Sequence, residues 1–197
     1  MPVTIPSLAT LDGSGSPIAA AVTRARSWSP FLAMILDREP VLAESLATGR
    51  LDLAASSATP DMPTARRLRI ERRAMALNVA IGDLAGVLDL TAVTGALSGF
   101  ADRALDTAIR AAIEERTPGA ESLGFVGIAL GKQGSRELNY SSDIDPILLF
   151  DPATLPRRPR EEPEEAAIRT AAASGSSRAR CGSVRGSKIR IGSMSEE

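Results

Sequence analysis

Histidine is missing from all 197 residues of the chain. Its absence excludes His-based general acid–base chemistry, Ser-His-Asp triads and His-ligated zinc. A single cysteine, Cys181, excludes an internal disulfide and fits a reducing compartment, so a cytoplasmic setting is expected. Aromatic residues make up only 3% of the chain, which suits a helical core built from Ala and Leu. No stretch approaches the apolar length, about 18 residues, that a membrane span requires. The first residues lack a charged segment leading into an apolar one, so no signal peptide is expected. Charge of one sign is lacking too. With 23 basic and 24 acidic residues the net charge is −1, which makes no case for a nucleic-acid partner. That balance hides an asymmetry: from Arg169 onward six basic residues face two acidic ones, so the preceding part is net acidic.

What is present is enough for one good domain, or for one domain and a tail, with an ordinary hydrophobic share of 44%. Residues 1–17 hold three prolines among Gly and Ser and read as a loose lead-in. Helical patterning over 18–118 follows. Ser29-Pro30 marks a helix start, with Ser29 as N-cap and Pro30 in the first turn. Pro40 then breaks the pattern before a short helix over 41–47. Residues 51–63 read as a polar connection. A long helix, or two abutting ones, is expected over 64–90, with Leu68, Met75, Val79 and Leu84 on one face, and another over 90–116. Arg66, Arg67, Arg69, Arg72 and Arg73 read either as a solvated helix face or as a basic rim meeting phosphate or a partner. Thr117-Pro118-Gly119 ends the helical region.

Residues 119–168 change character. Leu123-Gly124-Phe125-Val126-Gly127-Ile128-Ala129-Leu130 reads as a buried strand. A glycine turn, Gly131-Lys132-Gln133-Gly134-Ser135, leads into about one helical turn at 136–138, and a second strand is expected over 144–150, with Pro146 awkward inside it. Asp143 and Asp145 would share one face of that strand while Ile144 points to the other. Adjacent carboxylates repel unless a cation lies between them, so the pair reads as a platform for Mg²⁺ handling phosphates. Capping a turn is the plainer alternative. Gly134 and Ser135, opening the helical turn, are the candidate phosphate-binding backbone. Ser142 is a further phosphate contact or a turn residue, Lys132 and Arg136 are surface residues or phosphate neighbours, and Glu137 is an ordinary helix residue.

The run from Gly131 through Asn139-Tyr140-Ser141-Ser142-Asp143-Ile144-Asp145 resembles the signature of the bifunctional glutamine synthetase adenylyltransferase/adenylyl-removing enzymes. The stretch from Arg72-Arg73-Ala74 to Gly82-Asp83-Leu84-Ala85-Gly86-Val87 is similar to the helical lead-in of that family, and the resemblance extends over residues 20–168. It implies an α+β protein: a helical region followed by the start of a nucleotidyltransferase sheet of the DNA polymerase β-like kind. It also implies catalytic and metal roles for Asp143 and Asp145, with Mg²⁺ as cofactor and ATP, ADP and phosphate as substrates or products. The implied partners are glutamine synthetase, whose tyrosine is modified, and a PII-type signalling protein. Because the motif comes early, the adenylyl-removing half is the one expected.

The chain also departs from this pattern. The superfamily uses a third carboxylate on a later strand, here expected in a segment resembling Arg-Val-Asp-Leu-Arg-Leu-Arg-Pro, yet no aspartate follows Asp151. Glu161, Glu162, Glu164 and Glu165 read as a solvated, proline-flanked run in which a helix starts. From about Thr170 the chain turns to Ala, Ser, Gly and Arg. Residues 169–197 are therefore expected to be disordered and to be an out-of-frame continuation. The chain is then a truncated, inactive enzyme fragment. A non-catalytic helical module that docks glutamine synthetase or a regulator is the alternative, followed by a Mg²⁺-dependent nucleotidyltransferase with another acceptor.

Overall fold

The computed structural model describes residues 15–174 and the backbone of 180–185 and 188–192. The chain is mostly helical with a small sheet, an α+β arrangement. It divides into two compact units, Met1–Phe100 and Ala101–Glu197.

Prolines and a serine cap punctuate the first unit. Helix α1 (Pro17–Trp28) gives way to α2 (Pro30–Arg38) at Ser29, whose hydroxyl accepts from the Leu32 amide at 3.3 Å. Helix α3 (Pro40–Ala47) starts on Pro40, and after an irregular connection α4 spans Thr64–Leu84. Each proline sits in a first turn, where its missing N–H costs nothing. Ile18, Val22, Ile35, Leu36, Leu46, Leu77 and Ile81 form the core of this unit. The expected α4 face holds at Met75 and Val79 but fails at Leu84, which is 45% exposed. Of the five arginines, Arg66, Arg69 and Arg72 are solvated. Arg73 is instead structural: its Nη2 donates to the buried Glu39 at 3.1 Å, and the Ser57 hydroxyl donates to the other carboxylate oxygen at 2.7 Å.

Helix α5 (Leu90–Arg116) has the expected bounds and carries the boundary between the units. In the second unit β1 (Phe125–Ile128) pairs antiparallel with β2 (Ile147–Phe150), matching Phe125 to Phe150 and Ile128 to Ile147. Phe125, Leu148 and Phe150 point into a core with Ile109 and Ile113 of α5 and Ala166, Ala167 and Ala171 of α7 (Pro163–Ala173). Gly124 is required at the entry to β1. It has φ +70°, and a Cβ there would lie 2.4 Å from the Leu155 amide nitrogen.

Three expectations for this region are corrected. The first strand is half exposed, because Val126 and Ile128 face away from the helices. The second strand begins at Ile147, not at 144, so Pro146 precedes the ladder and its missing N–H is not needed there. The helical turn is α6 (Gly131–Gly134), not 136–138, because Gly134 and Ser135 donate back to Leu130 and Gly131.

Beyond Ala173 the backbone of β3 (Arg180–Arg185) runs parallel to β2, and β4 (Lys188–Gly192) returns antiparallel to β3. The expected onset of disorder near residue 170 thus meets a helix that continues to Ala173 and two paired segments of backbone. The remainder of 169–197 lies outside the described residues.

Candidate functional site

Asp143 and Asp145 lie in the extended segment between α6 and β2, both exposed, with Ile144 between them half buried. This alternation is the one expected of a strand, although the ladder starts two residues after Asp145. Both aspartates line one cleft of about 460 Å³ with Leu130, Gly131, Lys132, Gln133, Asn139, Ser141 and Ser142. The structure therefore brings the two carboxylates, Ser142 and the start of the glycine turn together around one space.

Asn139 shapes the floor of this cleft, a role that sequence reading missed. Its Oδ1 accepts from the Ser141 amide at 3.0 Å and from the hydroxyls of Ser141 and Ser142 at 3.2 and 2.9 Å. The Asn139 amide in turn donates to the Ser142 hydroxyl oxygen at 3.0 Å. An Asx turn of this kind fixes the backbone just ahead of Asp143. The Asn-x-Ser-Ser spacing was its signal. Ser142 thus serves the turn through its hydroxyl.

Gly134 and Ser135 sit differently from their expected place. They close the helical turn instead of opening it, and neither lines the cleft. Their N–H groups are spent on Leu130 and Gly131, at 3.2 and 3.0 Å. The Ser135 hydroxyl donates to Glu137 at 2.9 Å. Gly134 has a packing role: a Cβ there would lie 2.7 Å from the Ala129 carbonyl oxygen. The cleft wall is made by Gly131, Lys132 and Gln133.

The acidic run after Asp151 is also corrected at one position. Glu161 is half-buried, not solvated, and forms an ion pair with Arg116 near the end of α5. Its second carboxylate oxygen accepts from the Arg158 amide at 3.0 Å. Burial opposes ionisation, but the Arg158 amide and the Arg116 guanidinium together hold the Glu161 carboxyl below its ordinary range. Glu161 is thus a structural anchor and not a missing metal ligand. Asp151 is likewise engaged: its carboxylate accepts from the Ala153 amide and the Thr154 hydroxyl, which lower its pKa.

The donor set around Asp143 and Asp145 consists of hard oxygen atoms, which suits Mg²⁺ better than a soft or imidazole-seeking metal. Among the described residues no group of three or more Cys, Asp or Glu side chains converges as a metal site. Among the same residues no helix is long and apolar enough to cross a membrane.

The chain is similar to known proteins over most of its length. The family profile described as glutamate-ammonia ligase adenylyltransferase matches residues 15–174. A bifunctional glutamine synthetase adenylyltransferase/adenylyl-removing enzyme from Caulobacter vibrioides is 39% identical over 175 residues, covering 81% of this chain and 18% of the relative. The enzyme of the same name from Xanthobacter autotrophicus is 39% identical over 167 residues, covering 73% and 17%. The one from Rhizobium meliloti is 30% identical over 172 residues, covering 74% and 17%. The chain thus spans less than a fifth of the length of the curated relatives it matches. From its helical region through the aspartate cleft, this chain belongs to the glutamate-ammonia ligase adenylyltransferase family.

Proposed function

We propose that this chain carries the metal- and nucleotide-binding part of a nucleotidyltransferase core that adenylylates a glutamine synthetase tyrosine or reverses that modification. The observation that carries the reading is the convergence of Asp143 and Asp145 on one cleft beside the Gly131–Gln133 wall. Asp143 and Asp145 would hold Mg²⁺, which when bound neutralises phosphate charge and aligns the attacking and leaving oxygens. Asn139 presents the two aspartates by fixing the turn before them. Lys132 adds a cationic group on the same wall, suited to the phosphates of ATP or ADP or to inorganic phosphate. The Gly134 and Ser135 amides, engaged within α6, give the phosphate no direct grip in this conformation.

Glutamine synthetase is the proposed protein substrate, and a PII-type protein the proposed regulator. The name the relatives share supports the first, and the family resemblance alone suggests the second. No third carboxylate joins Asp143 and Asp145 among the described residues, so little turnover is expected of the chain by itself. Titration with a fluorescent ATP analogue, with and without Mg²⁺, tests the reading. Saturable binding that needs the metal is expected, and Asp143→Asn/Asp145→Asn should lose it. Metal-independent binding, or binding that survives the double substitution, would overturn the assignment. Capture of glutamine synthetase unchanged by that substitution would instead favour a docking module.

A further inference from the structure

Gln133 is buried at 3% exposure and borders two hollows: the aspartate cleft, and a smaller cavity of about 210 Å³ lined by Asp102, Leu105, Asp106, Ile109 and Phe125. Its Nε2 donates to Asp102 Oδ1 at 2.9 Å, whereas its Oε1 is buried without a partner. One charge-assisted hydrogen bond from α5 is therefore what compensates for taking this amide out of water. The other carboxylate oxygen of Asp102 lies 3.7 Å from Arg136 Nη1. Arg136 has φ +61°, a left-handed conformation uncommon for a residue with a side chain. It lies where the chain reverses, with its amide donating to Gln133 O at 3.0 Å. Asp102 thus holds the turn firmly at the end of its cleft-lining part through Gln133, and more weakly at its left-handed exit through an exposed ion pair with Arg136. Gly134 leaves no room for a Cβ, which would lie 2.7 Å from the Ala129 carbonyl oxygen.

We infer that Asp102 is a positioning residue for the aspartate cleft: acting through Gln133 and Arg136, it fixes the turn whose residues 131–133 form the cleft wall. Asp102 does not itself line the cleft, so it acts on a bound nucleotide only through that turn. Removing its carboxylate leaves Gln133 buried with both ends of its amide unsatisfied, and the wall must move to hydrate it. The consequence for nucleotide rests on the proposed function, whereas the consequence for the turn does not.

The test uses the full chain as wild type, Asp102→Ala, Asp102→Asn, Gln133→Ala and the Asp102→Ala/Gln133→Ala pair. Mg²⁺-dependent binding of a fluorescent ATP analogue is read beside amide hydrogen exchange. Asp102→Ala should weaken nucleotide binding by about tenfold or more, the scale typical of groups supporting a metal site. It should also speed exchange over residues 131–137 while leaving α1–α4 unchanged. Asp102→Asn keeps an acceptor for Gln133 and should recover most of the affinity. The double variant should be no worse than the poorer single one, because the two groups act as a unit. Wild-type affinity in Asp102→Ala, failure of Asp102→Asn to recover affinity, or additive losses in the pair would overturn the proposal. If the wild type binds no nucleotide, the functional reading fails, and exchange over 131–137 alone decides: no change in either Asp102 variant overturns the positioning role.

Discussion

A carboxylate at position 161 does work that its neighbours in sequence do not advertise. Glu161 stands among prolines and other glutamates, yet its half-buried carboxylate pairs with Arg116, 45 residues away. Its pKa is lower in the folded chain than the ordinary 4.5, so its stabilising contribution is complete above that value. The contribution fades as pH falls through the depressed folded value, because protonation removes the charge that Arg116 faces. Glu161→Gln should cost about 1.5 kcal/mol at neutral pH, the lower end of the scale for a hydrogen bond to a charged group. The gap between wild type and variant should close as the solution is acidified. Urea unfolding at pH 7 and again near pH 3 reads both effects, and a gap that persists in acid would contradict the assignment. Asp102 was as hard to see as Glu161, since its hydrogen bond to Gln133 spans 31 residues. Asp143 and Asp145 were legible because their chemistry is carried by adjacent positions. Residues whose role depends on a distant partner leave no local pattern.

Elements bounded by their own residues were read well. Ser29 with Pro30 started α2, Pro40 started α3, and the span of α5 followed from its apolar pattern and the Thr117-Pro118-Gly119 stop. The strands and α6 were read less well, for two physical reasons. Pro146 excludes itself from the ladder, which shortens β2. The Gly131–Gly134 turn is set by packing against Ala129 and α5, which the glycines permit but do not encode. Short as it is, β2 anchors the second unit through Leu148, which is fully buried against Ile109, Ile113 and Ala171. Leu148→Ala should destabilise the fold by about 3 kcal/mol, within the range for truncating a buried leucine. Ile147→Ala, at a half-buried position, should cost less. Chemical denaturation of the two variants checks the order, and an inverted order would mean that the inner face of β2 has been misplaced.

At the scale of the molecule, the chain contains less than a fifth of the length of its curated relatives, and its family match stops at residue 174. The composition changes at nearly the same place, where Ala, Ser, Gly and Arg take over. The change of composition motivates the proposal that the chain departs from the frame of the family after about residue 168, although the family match itself runs on through residue 174. Phosphate-dependent AMP release from adenylylated glutamine synthetase should be near background for this chain. Extending residues 1–168 with an alternative-frame sequence that encodes an Arg-Val-Asp-Leu-like strand should raise it. Substantial release by the unextended chain, or the absence of such a strand from every frame, would defeat the proposal. One feature of the sheet bears on handling the protein. Among the described residues strand β1 lies at an edge of the sheet, and Phe125–Ile128 contains no charge and no proline to guard that edge. With Val126 and Ile128 turned outward, two copies of the chain have a ready template for pairing strand to strand. Self-association along β1 is therefore expected to rise with concentration, and Val126→Lys should suppress it, which light scattering of the two proteins over a concentration series would read.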